Sequence, residues 1–346
     1  MWGLNTIIAL GAATLAGGPH PVSGSVPPKP LAKLYTGLCL EDGEIGSKER
    51  GAADAVARSF MQHVLEGDAP FAYEQMSVAG KASVTAAQFA AASQSIMKSS
   101  GPFSNLTVEK TYLIQLKGSA PSAICGDLSH PQTTVTVRTA SIPRQSYVVL
   151  SAATLNNRWA ITVWMEPEAG TWRARAFSLN ISGAAGRSAQ DVWTLASAQA
   201  RAGHGFNATL LYGAARGLAN RGPNFQLGIL PLIQKDLVAA ARPPELKGSP
   251  PFMLALSGKT WRVSDFTTTG IAGKLVLIVK IRPDAWSGDA AADQQNRRFL
   301  TDFMAARPEV REVYGAVVAQ SLNPDGTGGF ATVYDMEKGI LLPPTH

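Results

Sequence analysis

Five histidines and two cysteines have the widest chemical reach in this chain, and their spacing limits what they can do. His20, His63, His130, His204 and His346 are scattered, and none lies three or four residues from another. A metal-binding helix needs two such ligands on one face, and a Cys/His zinc site needs close pairs, so no metal is expected. Gly258-Lys259-Thr260 matches only the end of a phosphate-binding loop, because Met253 stands where the loop's first glycine belongs. A β-turn is the simpler reading. "NPDGTGG" lacks the spaced carboxylates of a calcium loop, and no G-x-S-x-G elbow or kinase motif set occurs. His63, three residues after Phe60 beside an apolar helical stripe, is the best remaining acid–base candidate. No cofactor is expected.

Cys39 and Cys125 are the only cysteines. In an oxidising compartment they would pair and tie the segment before the first helix to the first domain; two unpaired thiols are the other reading. The opening "MWGLNTIIALGAATLAGG" favours oxidation. Its apolar run ends in small residues, with Thr14 and Ala16 placed for a cut before Gly17, so residues 1–16 read as a secretory signal. No Lys or Arg precedes Lys29, so the usual basic start is missing. The expectation is an exported protein, periplasmic or extracellular. Asn105, Asn180 and Asn207 stand in N-x-S/T triplets, which matter only in a glycosylating pathway.

The 346 residues carry 31 Lys and Arg against 25 Asp and Glu, a net charge of +6. The excess is local: Arg201–Pro250 holds six basic and two acidic residues, whereas Pro251–His346 holds ten of each. A basic middle suits an acidic partner or a solvated helix face, but the Lys/Arg runs and aromatic–basic motifs of nucleic-acid modules are missing. No segment after the signal reaches membrane-spanning length.

These residues must be positioned by an α+β chain. Residues 17–46 are a Pro/Gly-rich tether. A helix is expected from about Ser47, read as its N-cap, to Leu65; a short one holds Phe71, Tyr73 and Met76; a third follows an N-cap at Thr85. "LTVEKTYLI", "TTVTVRT", "SYVVLSAAT", "RWAITVWM" and "TWRARAFSL" then read as strands, with "EPEAG" turning the last two into a hairpin. Three helices followed by a meandering sheet, with "FMQHVLEGDAPFAYEQMS" and "GTWRARAFSLN", resemble the nuclear-transport-factor-like, or SnoaL-like, cone fold over residues 47–182. The resemblance implies a curved antiparallel sheet around a cavity, which hosts proton transfer in some relatives. It also implies pairing through the outer sheet, giving a homodimer.

Residues 187–242 turn helical, with Ser188 as cap, a pair of helices around Gly203–Gly205 and another helix from Pro231. Ala208, Tyr212 and Ala215 give the small–aromatic–small spacing of a tetratricopeptide unit, which this pair resembles. Repeat arrays need about three units, and one is found, so a helical hairpin docked between two α+β domains is expected. After the Pro-rich linker "ARPPELKGSPP", residues 252–346 read as a small α+β domain: strands around "NRRFLTDFMAA" and a hairpin at "NPDGTG".

The cone resemblance singles out Phe60, Tyr73, Trp159, Trp164 and Trp172 as the lining of an apolar ligand pocket. Trp193, Tyr212 and Arg216 are the candidates for partner contact. Strand alternation places Trp172, Ala174, Ala176 and Ser178 on one face, Arg173, Arg175 and Phe177 on the other, with no Asp, Glu or His on either. The isomerase-type residues therefore do not carry over. The expected role is an exported, non-enzymatic protein binding a small apolar molecule, a peptide or an envelope partner. The alternatives are a cone-cavity enzyme of isomerase or hydratase type using His63, and a purely structural oligomer.

Overall fold

A computed structural model describes residues 37–140, 142–283, 286–326 and 328–342. The expected signal sequence (residues 1–16), most of the expected tether, His20 and His346 lie outside the described residues. The fold is mixed α+β, with eight α-helices among the described residues. It divides into two compact units. The first holds the chain up to Thr154, Arg158–Asn180 and Asn220–Ile229; the second holds Leu155–Asn157, Ile181–Ala219 and the chain from Leu230 on.

The first unit opens with β1 (Gly37–Glu41) and α1 (Ser47–Glu66), followed by α2 (Ala69–Glu74), α3 (Val78–Ser83) and α4 (Ala86–Ser100). Gly46, not Ser47, is the N-cap of α1, and Gly67 ends that helix in a left-handed conformation at φ 85°. The expected Thr85 cap is present as a capping box with Gln88. Where one short helix was expected there are two, because Ser77 caps α3 through Gly80 N. Strands follow as β2 (Ser104–Leu116), β3 (Ser122–Cys125), β4 (Val135–Arg138), β5 (Arg144–Ala153), β6 (Asn157–Glu168) and β7 (Thr171–Ala184).

The chain continues through β8 (Arg187–Ser188), α5 (Ala189–Arg201) and α6 (Gly205–Ala219). Next come β9 (Phe225–Leu227) and α7 (Ile229–Ala239). The remainder is β10 (Phe252–Leu256), β11 (Lys259–Ile271), β12 (Lys274–Ile281), α8 (Asp289–Ala306), β13 (Ala316–Leu322), β14 (Gly329–Asp335) and β15 (Ile340–Leu341). Three sheets result, in the orders β1-β2-β5-β6-β7-β8, β3-β4-β9 and β10-β11-β12-β13-β14-β15.

The first sheet is buried on both faces. Phe60, Phe89, Val148, Ile161, Val163 and Phe177 belong to a core shared with the helices. On the opposite face Tyr112, Ile114, Tyr147 and Trp164 pack against Val135, Val137 and Phe225 of the three-stranded sheet. This explains the unbroken buried run Ala160–Glu166 in β6, since a strand covered on both sides has no solvent face to mark with polar residues. Cys39 in β1 and Cys125 in β3 form a disulfide between the two sheets.

In the second unit β12 and β13 pair in parallel and the other neighbours antiparallel. An aromatic chain joins its helices to its sheet: Phe252, Phe266, Phe206, Phe303, Phe299 and Trp261, with successive ring centroids 5.2–5.8 Å apart. Phe206 lies on α6, so the helical hairpin shares its core with the C-terminal sheet. Only Gly258 of the Gly258-Lys259-Thr260 run lies in a turn, with Ser257, both at positive φ; Lys259 and Thr260 open β11.

Candidate functional site

The five aromatic residues expected around a pocket separate onto two faces. Phe60 is fully buried, with its ring centroid 5.6 Å from Phe177 and 6.1 Å from Phe89. Tyr73 joins this group at 5.7 Å from Phe89, and its hydroxyl donates to Val84 O. Trp172 belongs to the same core, with Trp159 packed against its margin and edge-on to Phe103. Trp164 lies on the other face, stacked 5.5 Å from Tyr147 and donating from Nε1 to Gln145 Oε1. Phe60, Tyr73, Phe89 and Phe177 are thus linked by ring contacts within the core shared with the helices.

The alternation expected along β7 also breaks. Trp172 and Ala174 face the helices, Ala176 faces the other layer, and Phe177 and Leu179 face the helices again. Beside this change of phase, Gln75–Ser77 pairs with the strand: Ala174 N donates to Gln75 O and Ser77 N to Ala174 O. The only carboxylate of β6 and β7 buried to less than a tenth exposure is Glu166, and Arg175 neutralises it at 2.6 Å while lying over the Trp164 ring.

His63 is near the C-terminal end of α1, its Nδ1 3.3 Å from Asp68 Oδ2 and its ring 4.2 Å from Phe71. Asp68 is half exposed and so is Phe71. The imidazole is thus mostly covered: its Nδ1 is buried and makes no hydrogen bond, while Asp68 beside it opens to solvent. A second carboxylate, Asp54 of α1, accepts from Thr111 Oγ1 at 2.5 Å and is only half-buried.

The three partner-contact candidates are engaged within the second unit. Tyr212, Ala208 and Ala215 are buried, and the Tyr212 hydroxyl donates to Ser197 Oγ. Trp193 Nε1 donates to Asp236 of α7, and Arg216 donates to Gln234 of the same helix. His204 is half-buried; its Nδ1 lies 3.0 Å from Glu312 Oε2 and 3.1 Å from Gln199 Oε1. Asn207 donates to Gln199 Oε1 and Glu309 O and is fully buried, and Asn180 is nearly so. Neither can carry a glycan in the folded chain; Asn105 is exposed.

One cleft of about 300 Å³ opens in the second unit. Arg262, Arg282, Pro283, Trp286 and the turn Asn323–Gly326 line it. Asn323–Gly326 were read from sequence only as a hairpin turn, and the two arginines and Trp286 were not singled out. The signal available was indirect: two arginines at matching places in adjacent strands, which only the register of β11 on β12 brings together. Among the described residues no group of three His, Cys, Asp or Glu side chains could hold a metal ion. No helix among them is long and apolar enough to cross a membrane.

The fold class reached from these observations is a two-unit α+β protein with a disulfide in its first unit. Protein-family models, curated proteins and solved structures were each compared with the chain, and none matches.

Proposed function

We propose that this is an exported binding protein that holds a peptide or protein partner without chemically changing it. Its first unit, on this reading, is a cone-type frame of the nuclear-transport-factor-like kind. The observation that carries the proposal is the filling of that frame: Phe60, Tyr73, Phe89 and Phe177 occupy the space where cone-cavity chemistry would take place. General acid–base catalysis needs a proton-handling group aimed at a substrate, and His63 instead turns its buried Nδ1 toward the half-exposed Asp68. A closed interior favours a partner bound at the surface over a small apolar ligand held inside. The disulfide supports export, since such bonds persist in oxidising compartments.

The test is to express the full chain, with its own first residues, in a bacterial host and to fractionate the cells. The expected product lies outside the cytosol, begins at Gly17, and has Cys39 and Cys125 closed to alkylation without reductant. A cytosolic product with both thiols free and the first residues intact would contradict the proposal.

A further inference from the structure

Two arginines of the second unit have no acidic partner among the described residues. Arg262 and Arg282 face each other across β11 and β12, with Arg282 N donating to Arg262 O at 2.8 Å. Val263 and Ile281, the next residues inward, are paired and buried. Strand alternation therefore sends both guanidiniums off the opposite, solvent-facing side. Like charges directly opposite on a ladder repel and destabilise it. A neighbouring pair on the same strands shows the ordinary solution: Lys280 Nζ lies 3.0 Å from Asp265 Oδ2. Among the described residues no hydrogen bond or ion pair holds the guanidinium of Arg262 or of Arg282.

Both arginines line the 300 Å³ cleft, and the half-buried Trp286 lines it with them. Asn323 is fixed at its edge, its Oδ1 accepting from Gly328 N at 3.1 Å, so the amide NH2 remains as a donor. One carboxylate, Asp325, also lines the cleft. We propose that this cleft binds a small molecule in which an oxyanion group, carboxylate or phosphate, adjoins a flat apolar body. Guanidiniums grip such oxyanions through forked, charge-assisted hydrogen bonds. The indole offers a flat apolar surface for the remainder. The cleft lies within the second unit, and its binding is independent of what the first unit holds.

The experiment is isothermal titration of the full chain with benzoate, phenyl phosphate, inorganic phosphate and benzamide, at low salt. Benzoate or phenyl phosphate should bind saturably, the stronger of the two identifying the oxyanion; inorganic phosphate should bind more weakly, and benzamide should not bind. Arg262→Gln and Arg282→Gln should each weaken the aromatic anion about tenfold or more. Arg298→Gln, which removes an exposed guanidinium on α8, should change nothing. The proposal fails if no anion saturates up to about 10 mM, if benzamide binds as well as benzoate, or if both arginine variants bind as the parent does. Circular dichroism of the variants separates lost binding from lost folding, and the comparison of benzoate with benzamide on the unaltered chain decides the matter without them.

Discussion

Phe60 and His63 stand one helical turn apart on α1, and their surroundings set opposite costs for losing them. Phe60 is fully buried between Phe89 and Phe177, so truncation removes apolar burial and leaves a cavity. Phe60→Ala should cost about 3–5 kcal/mol of unfolding free energy. His63 is about a quarter exposed and stands beside the half-exposed Asp68, and polar contacts so open to solvent contribute about 0–1 kcal/mol. His63→Ala should therefore shift a urea-unfolding midpoint little. Equal losses in the two variants would show that His63 is part of the core after all.

Helix α8 shows how an element is held by charge as well as by packing. Its Phe299, Leu300, Phe303 and Met304 form a buried stripe, while Asp293 reaches both Arg297 and Thr332 of β14. Burial pushes the Asp293 carboxyl upward, but the bonds from Arg297 and Thr332 outweigh it and leave its pKa below the ordinary 3.8. A carboxyl whose folded pKa is depressed contributes stability above its unfolded value and loses it as pH falls through the folded one. Asp293→Asn should thus lower stability at pH 7 and flatten the fall in stability below about pH 4. Urea titrations of both proteins at pH 7 and pH 3 check this; an unchanged acid slope would exclude the role.

The same scale shows what the sequence made legible. The α8 stripe, the Thr85 and Ser188 caps and the hairpin at Asn323–Gly326 could be read because each depends on neighbours in sequence. The outer layer over the first sheet could not. Its strands β3, β4 and β9 have four, four and three residues, and β9 arrives only after two intervening helices. Only β4 was read as a strand, within "TTVTVRT" and as part of a single meander; without β3 and β9 beside it, Trp164 looked like a cavity residue when it is the floor of a second core. The Arg262–Arg282 juxtaposition was hidden for a related reason, since register between strands is not written in either strand alone.

At the scale of the whole molecule, stability and location meet in one bond. The Cys39–Cys125 disulfide closes a loop across 86 residues of sequence. By the chain-entropy estimate such a loop contributes on the order of 4 kcal/mol. Cys39→Ser with Cys125→Ser should lower the unfolding free energy of the first unit by roughly that amount. Denaturant unfolding followed by near-ultraviolet circular dichroism reads it. The loss would fit a protein built for an oxidising compartment and poorly suited to a reducing one.

The proposed function rests on the ring cluster of Phe60, Tyr73, Phe89 and Phe177 occupying the interior of the first unit. The most direct measurement is a diffraction experiment on crystals of the full chain pressurised with xenon, an atom that enters empty apolar cavities. The account predicts no xenon among Phe60, Tyr73, Phe89 and Phe177 in the unaltered protein, and a xenon peak there in Phe60→Ala. A bound xenon atom in the unaltered core would contradict it.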